Sequence, residues 1–152
     1  MTFAIKVDTS GIDALLGQLG SDVDEAVRPA AQAGAQVLYD AVKQNVRALG
    51  RKTGNLDKAI YQVYSKALSN ETKATYQVSW NAKKAPHGHL VESGYIQKFK
   101  VYMGKNGVWY TNKKAPLAQP RQVGARAFVR GAAAQFPRAL DAIEAELLRR
   151  IK

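Results

Sequence analysis

No cysteine occurs among the 152 residues, which excludes disulfide scaffolds, thiolate zinc sites and cysteine nucleophiles together and leaves the redox compartment open. Long apolar runs are also lacking: no stretch approaches the roughly 18 residues that would span a bilayer. The opening Met1-Thr2-Phe3-Ala4-Ile5-Lys6 has no charged segment leading into an apolar one, so a soluble, unprocessed chain is expected. Low-complexity and collagen-like compositions are excluded as well, because 46% hydrophobic and 23% charged residues are ordinary globular values. The length suits one domain spanning 1–152.

Carboxylates are scarce where bases are dense. The chain carries 23 Lys and Arg against 12 Asp and Glu, a net charge of +11, and the excess is local. Residues 1–50 are slightly acidic, whereas residues 51–130 hold only Asp57, Glu71 and Glu92 among many bases. From Tyr95 to Arg126 the bases are Lys98, Lys100, Lys105, Lys113, Lys114, Arg121 and Arg126, without one acid. Such a segment seeks an anionic partner, nucleic acid or an acidic protein surface, or else stays solvated.

The hydrophobic pattern divides the chain into helical and extended parts. Phe3, Ile5 and Val7 alternate with polar neighbours and predict a strand ending at Thr9-Ser10-Gly11. Ile12, Leu15, Leu16 and Leu19 predict a helix, and Gly20-Ser21-Asp22 a break with an N-cap. A longer stripe follows through Val23, Val27, Ala30, Gly34, Leu38, Ala41, Val42, Val46 and Leu49, ending near Gly50. Pro29 within it implies either a kink or a helix starting near Arg28.

Beyond the polar connector 50–55 the period shifts toward two. Ile60–Ser65 and Thr75–Trp80 predict a hairpin turning at Ser69-Asn70-Glu71. Lys83–Gly88 reads as a loop and Leu90–Gly94 as a short apolar segment. Ile96–Met103 and Val108–Thr111 flank Lys105-Asn106-Gly107 and predict a second hairpin, Asn-Gly being favoured in tight turns because both residues tolerate positive φ. Lys113–Gly124, with Pro116 and Pro120, is expected as an exposed loop. A terminal helix is predicted through Phe128, Ala132, Phe136, Leu140, Ile143, Leu147 and Ile151, kinked or divided at Pro137. The fold class expected is α+β: an antiparallel β-sheet covered by a long helix from the N-terminal half and a C-terminal helix, with an extended basic hairpin and loop at 95–126.

Candidate chemistry is thin. His87, His89 and Glu92 are the sole metal-ligand cluster, but they lack the helical spacing of zinc proteases and a further well-placed ligand. No phosphate-cradling glycine loop is present, and the acids of 51–130 are too few for a two-metal site. No catalytic residue, metal or cofactor is therefore assigned. Glu92 is expected to be held by a lysine or arginine, within the fold or at a subunit contact. Tyr95, Phe99, Tyr102, Trp109 and Tyr110 interleave with lysines as stacking platforms for single-stranded bases do, although half-buried strand aromatics explain them more simply.

The order of these signals resembles the tailed-bacteriophage neck and tail-completion (head-tail joining) morphogenesis proteins. The pieces that carry the likeness are Ala30-Ala31-Gln32-Ala33-Gly34-Ala35, Thr53-Gly54-Asn55-Leu56, His89-Leu90-Val91-Glu92-Ser93-Gly94 and Ala127-Phe128-Val129-Arg130. Gly131 stands where such proteins often have proline, and the basic excursion is longer than usual. The resemblance implies a non-enzymatic structural protein, working in the virion neck or tail after assembly in the host cytoplasm. It implies a homo-oligomeric ring, a hexamer or dodecamer, between head-completion or connector proteins and the tail tube, without cofactor or membrane. Thr53, Gly54, Leu56, Glu92, Gly94 and Phe128 would then shape the fold. Lys98, Lys100, Lys105, Trp109, Lys113, Lys114, Arg121 and Arg126 would contact neighbouring subunits, tail proteins or DNA in the neck lumen. The alternative from another class is a free, basic nucleic-acid-binding protein.

Overall fold

A computed structural model of the chain describes residues 2–8, 20–50 and 54–151. It contains strand β1 (Phe3–Asp8), helix α1 (Gly20–Ala48), helix α2 (Asn55–Ala59), strands β2 (Ile60–Tyr64) and β3 (Lys73–Trp80), and helix α3 (Gly88–Ser93). Strands β4 (Tyr95–Met103) and β5 (Trp109–Val123), a 3-10 segment (Arg130–Gln135) and helix α4 (Phe136–Arg150) complete it. The expected helix over Ile12–Leu19 lies outside the described residues. The class is α+β.

Two antiparallel sheets form. β3 is central in the first, in the order β1-β3-β2, with Ile5 opposite Tyr76 on one side and Gln62 opposite Val78 on the other. A central strand packed on both faces loses the polar alternation of an edge strand; Ala74, Thr75, Tyr76, Val78 and Ser79 are all buried. The second sheet is the pair β4-β5.

α1 runs across the first sheet and is the backbone of the core. Its alanine-rich stripe favours helix and keeps side chains small, so Ala26, Val27, Ala30, Ala31, Ala35 and Leu38 join Ile5, Ala74 and Tyr76 in one cluster. Val42 and Val46 join Ile60, Val78 and Phe128 in a second. Gly20–Asp22 are already helical, and Pro29 sits inside the helix rather than in its first turn. Its ring leaves the Glu25 carbonyl without the usual i+4 donor. The tertiary packing of the stripe outweighs that cost.

α4 packs along α1 rather than directly on the sheet. The two helices pack tightly at Gly34, where an added Cβ would lie 2.7 Å from Ile143. Pro137 falls in the first turn of α4, where its missing donor costs nothing, so the predicted terminal helix is divided there. Phe128 precedes the 3-10 segment and is not helical. The core line of α4 is Ala139, Ile143 and Leu147. Phe136 and Leu140, expected in that stripe, are 41% and 64% exposed, and Leu148 is 69% exposed. None of the helices among the described residues is long and apolar enough to cross a membrane.

Candidate assembly interface

The region expected to make contacts begins at α3, a one-and-a-half-turn helix where the sequence suggests only a short apolar segment. Its position is fixed by Gly88, which lies against the indole of Trp80 with no room for a Cβ. Trp80 in turn meets the edge of Phe128, ring centroids 5.5 Å apart. Glu92, on the inner face of α3, is fully buried. Its Oε2 accepts from the Val129 N–H at 2.9 Å, and its Oε1 accepts from the N–H and Nε of Arg130, both at 3.1 Å. The Arg130 Nη2 also donates to the Glu92 carbonyl at 3.0 Å. Charge-assisted bonds of this kind are what allow a carboxylate to be buried.

The chain leaves this anchor as β4 and returns to it after β5. On return, Arg126 N–H donates to the Val91 carbonyl at 2.8 Å and Ala127 N–H to the Glu92 carbonyl at 3.1 Å. Ala127 takes an unusual positive φ of 42°, and Asn45 of α1 donates to the Phe128 carbonyl at 2.9 Å. Gly94 closes the root. With φ 74° and ψ 172°, it occupies backbone space essentially restricted to glycine. An added Cβ would stand 2.6 Å from the Val123 carbonyl oxygen and 2.7 Å from the Ala125 nitrogen.

Beyond the root, β4 and β5 form an arm that packs mainly on itself. Near the tip Met103 faces Trp109, Val101 faces Thr111, Tyr102 faces Tyr110 and Lys100 faces Asn112. Paired residues share a face, so Val101, Met103 and Trp109 form one side and Tyr102, Tyr110 and Lys100 the other. The tyrosine rings stack with centroids 5.8 Å apart. All these residues are exposed.

The structure corrects one expectation here. Lys113–Gly124 is not a loop: all but its last residue belongs to β5. The strand accommodates its prolines by bulging: Asn112 to Pro116 lies opposite the single step from Lys100 to Phe99, and Pro116 to Arg121 opposite Phe99 to Gln97. Proline is tolerated at such irregularities because no ladder donor is required there. The tip turn lies where it is expected, between Met103 and Val108: Gly107 N–H donates to the Gly104 carbonyl, and Gly107 takes the positive φ.

Lys98, Lys100, Lys105, Trp109, Lys113, Lys114, Arg121 and Arg126 are all exposed on the arm or at its root. The fold-shaping set divides differently. Leu56 and Phe128 are core, Glu92 and Gly94 build the root, Gly54 precedes α2, and Thr53 lies outside the described residues. A cavity of about 560 Å³ lies beside the root, walled by Val46, Leu49, Leu56, Leu90 and Val91 with Arg47, Asp57, His87 and Arg126. The Glu92 carboxylate is engaged by Val129 and Arg130, and the His89 Nδ1 pairs with the Pro86 carbonyl at 2.8 Å. Among the described residues no group of three His, Cys, Asp or Glu is placed to hold a metal.

Two features escaped the sequence reading. Asp57 is held by Lys43 at 2.9 Å and Arg47 at 3.5 Å, tying α2 to α1; the i, i+4 spacing of the two bases on α1 was the available signal. Arg130 as the partner of Glu92 had no local signal, since the pair is 38 residues apart.

A family model described as "Bacteriophage HK97-gp10, putative tail-component" matches residues 11–94. No curated protein and no solved structure matches the chain. The matched residues contain α1, the strands β2 and β3, and α3 up to Gly94, where the arm starts; β1, the arm and α4 lie outside them. With more than half of its length matched, the chain belongs to the HK97-gp10-like family of bacteriophage tail components.

Proposed function

We propose that this tail component is a non-enzymatic structural protein of the phage head-tail junction, acting in neck or tail completion or as tail terminator. Copies assemble as a ring that joins the capsid connector to the tail tube, in the virion, after folding in the host cytoplasm. The chain acts as one domain, residues 1–152, from which the arm at 95–126 projects.

The observation that carries this reading is the arm. An isolated two-stranded hairpin is marginal in water, and this one leaves Ile96, Val101, Tyr102, Met103 and Tyr110 exposed among seven bases and no acid. Apolar surface of that kind marks a contact site. A contact between different faces of identical copies generates a ring when the rotation closes, and hexamers or dodecamers suit such a junction. Connector and tail-tube proteins are the further partners, and the basic arm also suits DNA passing through the lumen.

Deletion of residues 98–114 tests the reading in the virion. Heads and tails should accumulate unjoined; normal joining would overturn the placement. The acid-free run also favours a second reading, a free nucleic-acid-binding protein. That protein would bind DNA with an affinity falling steeply with salt and would show no defined oligomer by light scattering.

A further inference from the structure

Two apolar strips on the described surface lie exposed on the same chain. One is the tip face of the arm, Val101 and Met103, each about half exposed. The other is the flank of α4, where Leu140 and Leu148 stand one position round from the buried line Ala139, Ile143 and Leu147. Residues four apart on a helix lie one above the other, so Leu140, Glu144 and Leu148 form a single ridge, with Asp141 beside it. We propose that the arm of one copy lies across this α4 ridge of the next copy, resting on the ring assembly proposed above.

Charge complementarity favours a second copy as the occupant. The arm is basic throughout, with Lys100 on the face opposite Met103 and no carboxylate anywhere. The ridge presents Asp141 and Glu144, both exposed, between its two leucines. Apolar side chains at the tip meet apolar side chains on the ridge, and Lys105, in the tip turn between β4 and β5, is the base that meets the two acids. The arm and the ridge are different surfaces, so the contact is head-to-tail and repeats from copy to copy. The arm gains the packing partner that a bare hairpin needs, and the ridge loses two solvated leucines. This contact also gives a reason why the terminal stripe read from the sequence is wider than the part buried within one chain.

The absence of native cysteine makes the contact directly testable with the full-length protein. Single-cysteine variants Met103→Cys and Leu140→Cys are mixed, so that a mixed disulfide can form only between copies. The control partner is Leu68→Cys, an exposed leucine (46%, against 64% for Leu140) on the 3-10 turn between β2 and β3, with rates compared after correction for each thiol's reactivity toward a small disulfide. Mixed dimers of the first pair should form about tenfold faster or more than those of the control, because docking raises the effective concentration of the two thiols. Equal rates, or a predominance of arm-to-arm Met103→Cys homodimers, would overturn the contact.

A second arm uses Leu140→Asp/Leu148→Asp, checked for folding by its thermal transition. Light scattering should show this variant losing the assembly formed by the wild type; an unchanged assembly overturns the contact. Phage complementation separates this proposal from the wider one. If the double variant joins heads to tails while deletion of 98–114 does not, the α4 contact is wrong and the junction role stands. If the deletion also joins normally, the junction role falls with it.

Discussion

The Glu92 carboxylate and the Arg130 guanidinium, 38 residues apart in the chain, meet at 3.1 Å and close the root of the arm. One side chain ends the helix that precedes β4; the other opens the segment that follows β5. Between them the arm at 95–126 is held away from the core, while Phe128 and Val129 are buried in it, so this pair sets where the arm leaves the molecule.

Replacing Glu92 by Gln should lower stability by about 1–3 kcal/mol, since the buried acceptor keeps one oxygen but loses its charge beside Arg130. Arg130→Ala should cost more, because it leaves the fully buried carboxylate charged with only the Val129 and Arg130 backbone N–H groups to hold it. Thermal unfolding of the two single variants and the double variant measures the coupling. A Glu92→Gln transition at the wild-type temperature would show that the carboxylate is not structural.

Gly94→Ala should be more damaging than its size suggests. The new Cβ meets backbone atoms of Val123 and Ala125 that cannot turn aside, and the residue's φ and ψ disfavour any side chain by about 1–3 kcal/mol in addition. The expected result is a lowered unfolding temperature and faster proteolysis within 95–126. Wild-type behaviour in both measurements would refute the close packing at the root.

At the helix crossing, Gly34→Ala should cost about 1–3 kcal/mol by overpacking, because Ile143 is buried and the Ala139 carbonyl lies 3.1 Å from the new methyl. Ile143→Val removes the methyl nearest the clash. The double variant should therefore be more stable than the sum of the two single losses, as denaturant unfolding can establish; strict additivity would place the crossing elsewhere.

Near the end of α4, hydrogen bonds from Arg149 and then Arg150 hold the Glu146 carboxyl at about 2, below its ordinary value of 4.5. A carboxylate depressed in the folded state stabilises above its unfolded value and loses that contribution as pH falls through the folded one. The last turn of α4 should therefore weaken between pH 4.5 and about 2. Carboxyl NMR titration should find Glu146 in that low range, moving upward in Arg149→Ala. An unshifted Glu146 in the wild type would contradict the pairing.

Much of the framework was legible because it follows from local periodicity. The α1 stripe, the strands β1, β2 and β3 and the division of the terminal helix at Pro137 are all consequences of backbone geometry acting over a few residues. The concentration of bases at 95–126 and the absence of thiol chemistry are properties of composition alone.

What the tertiary structure decided depends on pairs far apart in sequence. Proline signals made Lys113–Gly124 look like a loop, yet pairing with β4 draws it into a bulged strand. Periodicity put Phe136, Leu140, Ile143 and Leu147 in one stripe; docking on α1 buries Ile143 and Leu147, together with Ala139, and leaves Phe136 and Leu140 exposed. Nothing local joins Glu92 to Arg130. Periodicity says that a helix has an apolar side; only the shape of the neighbouring helix determines which part of that side is buried and which remains at the surface.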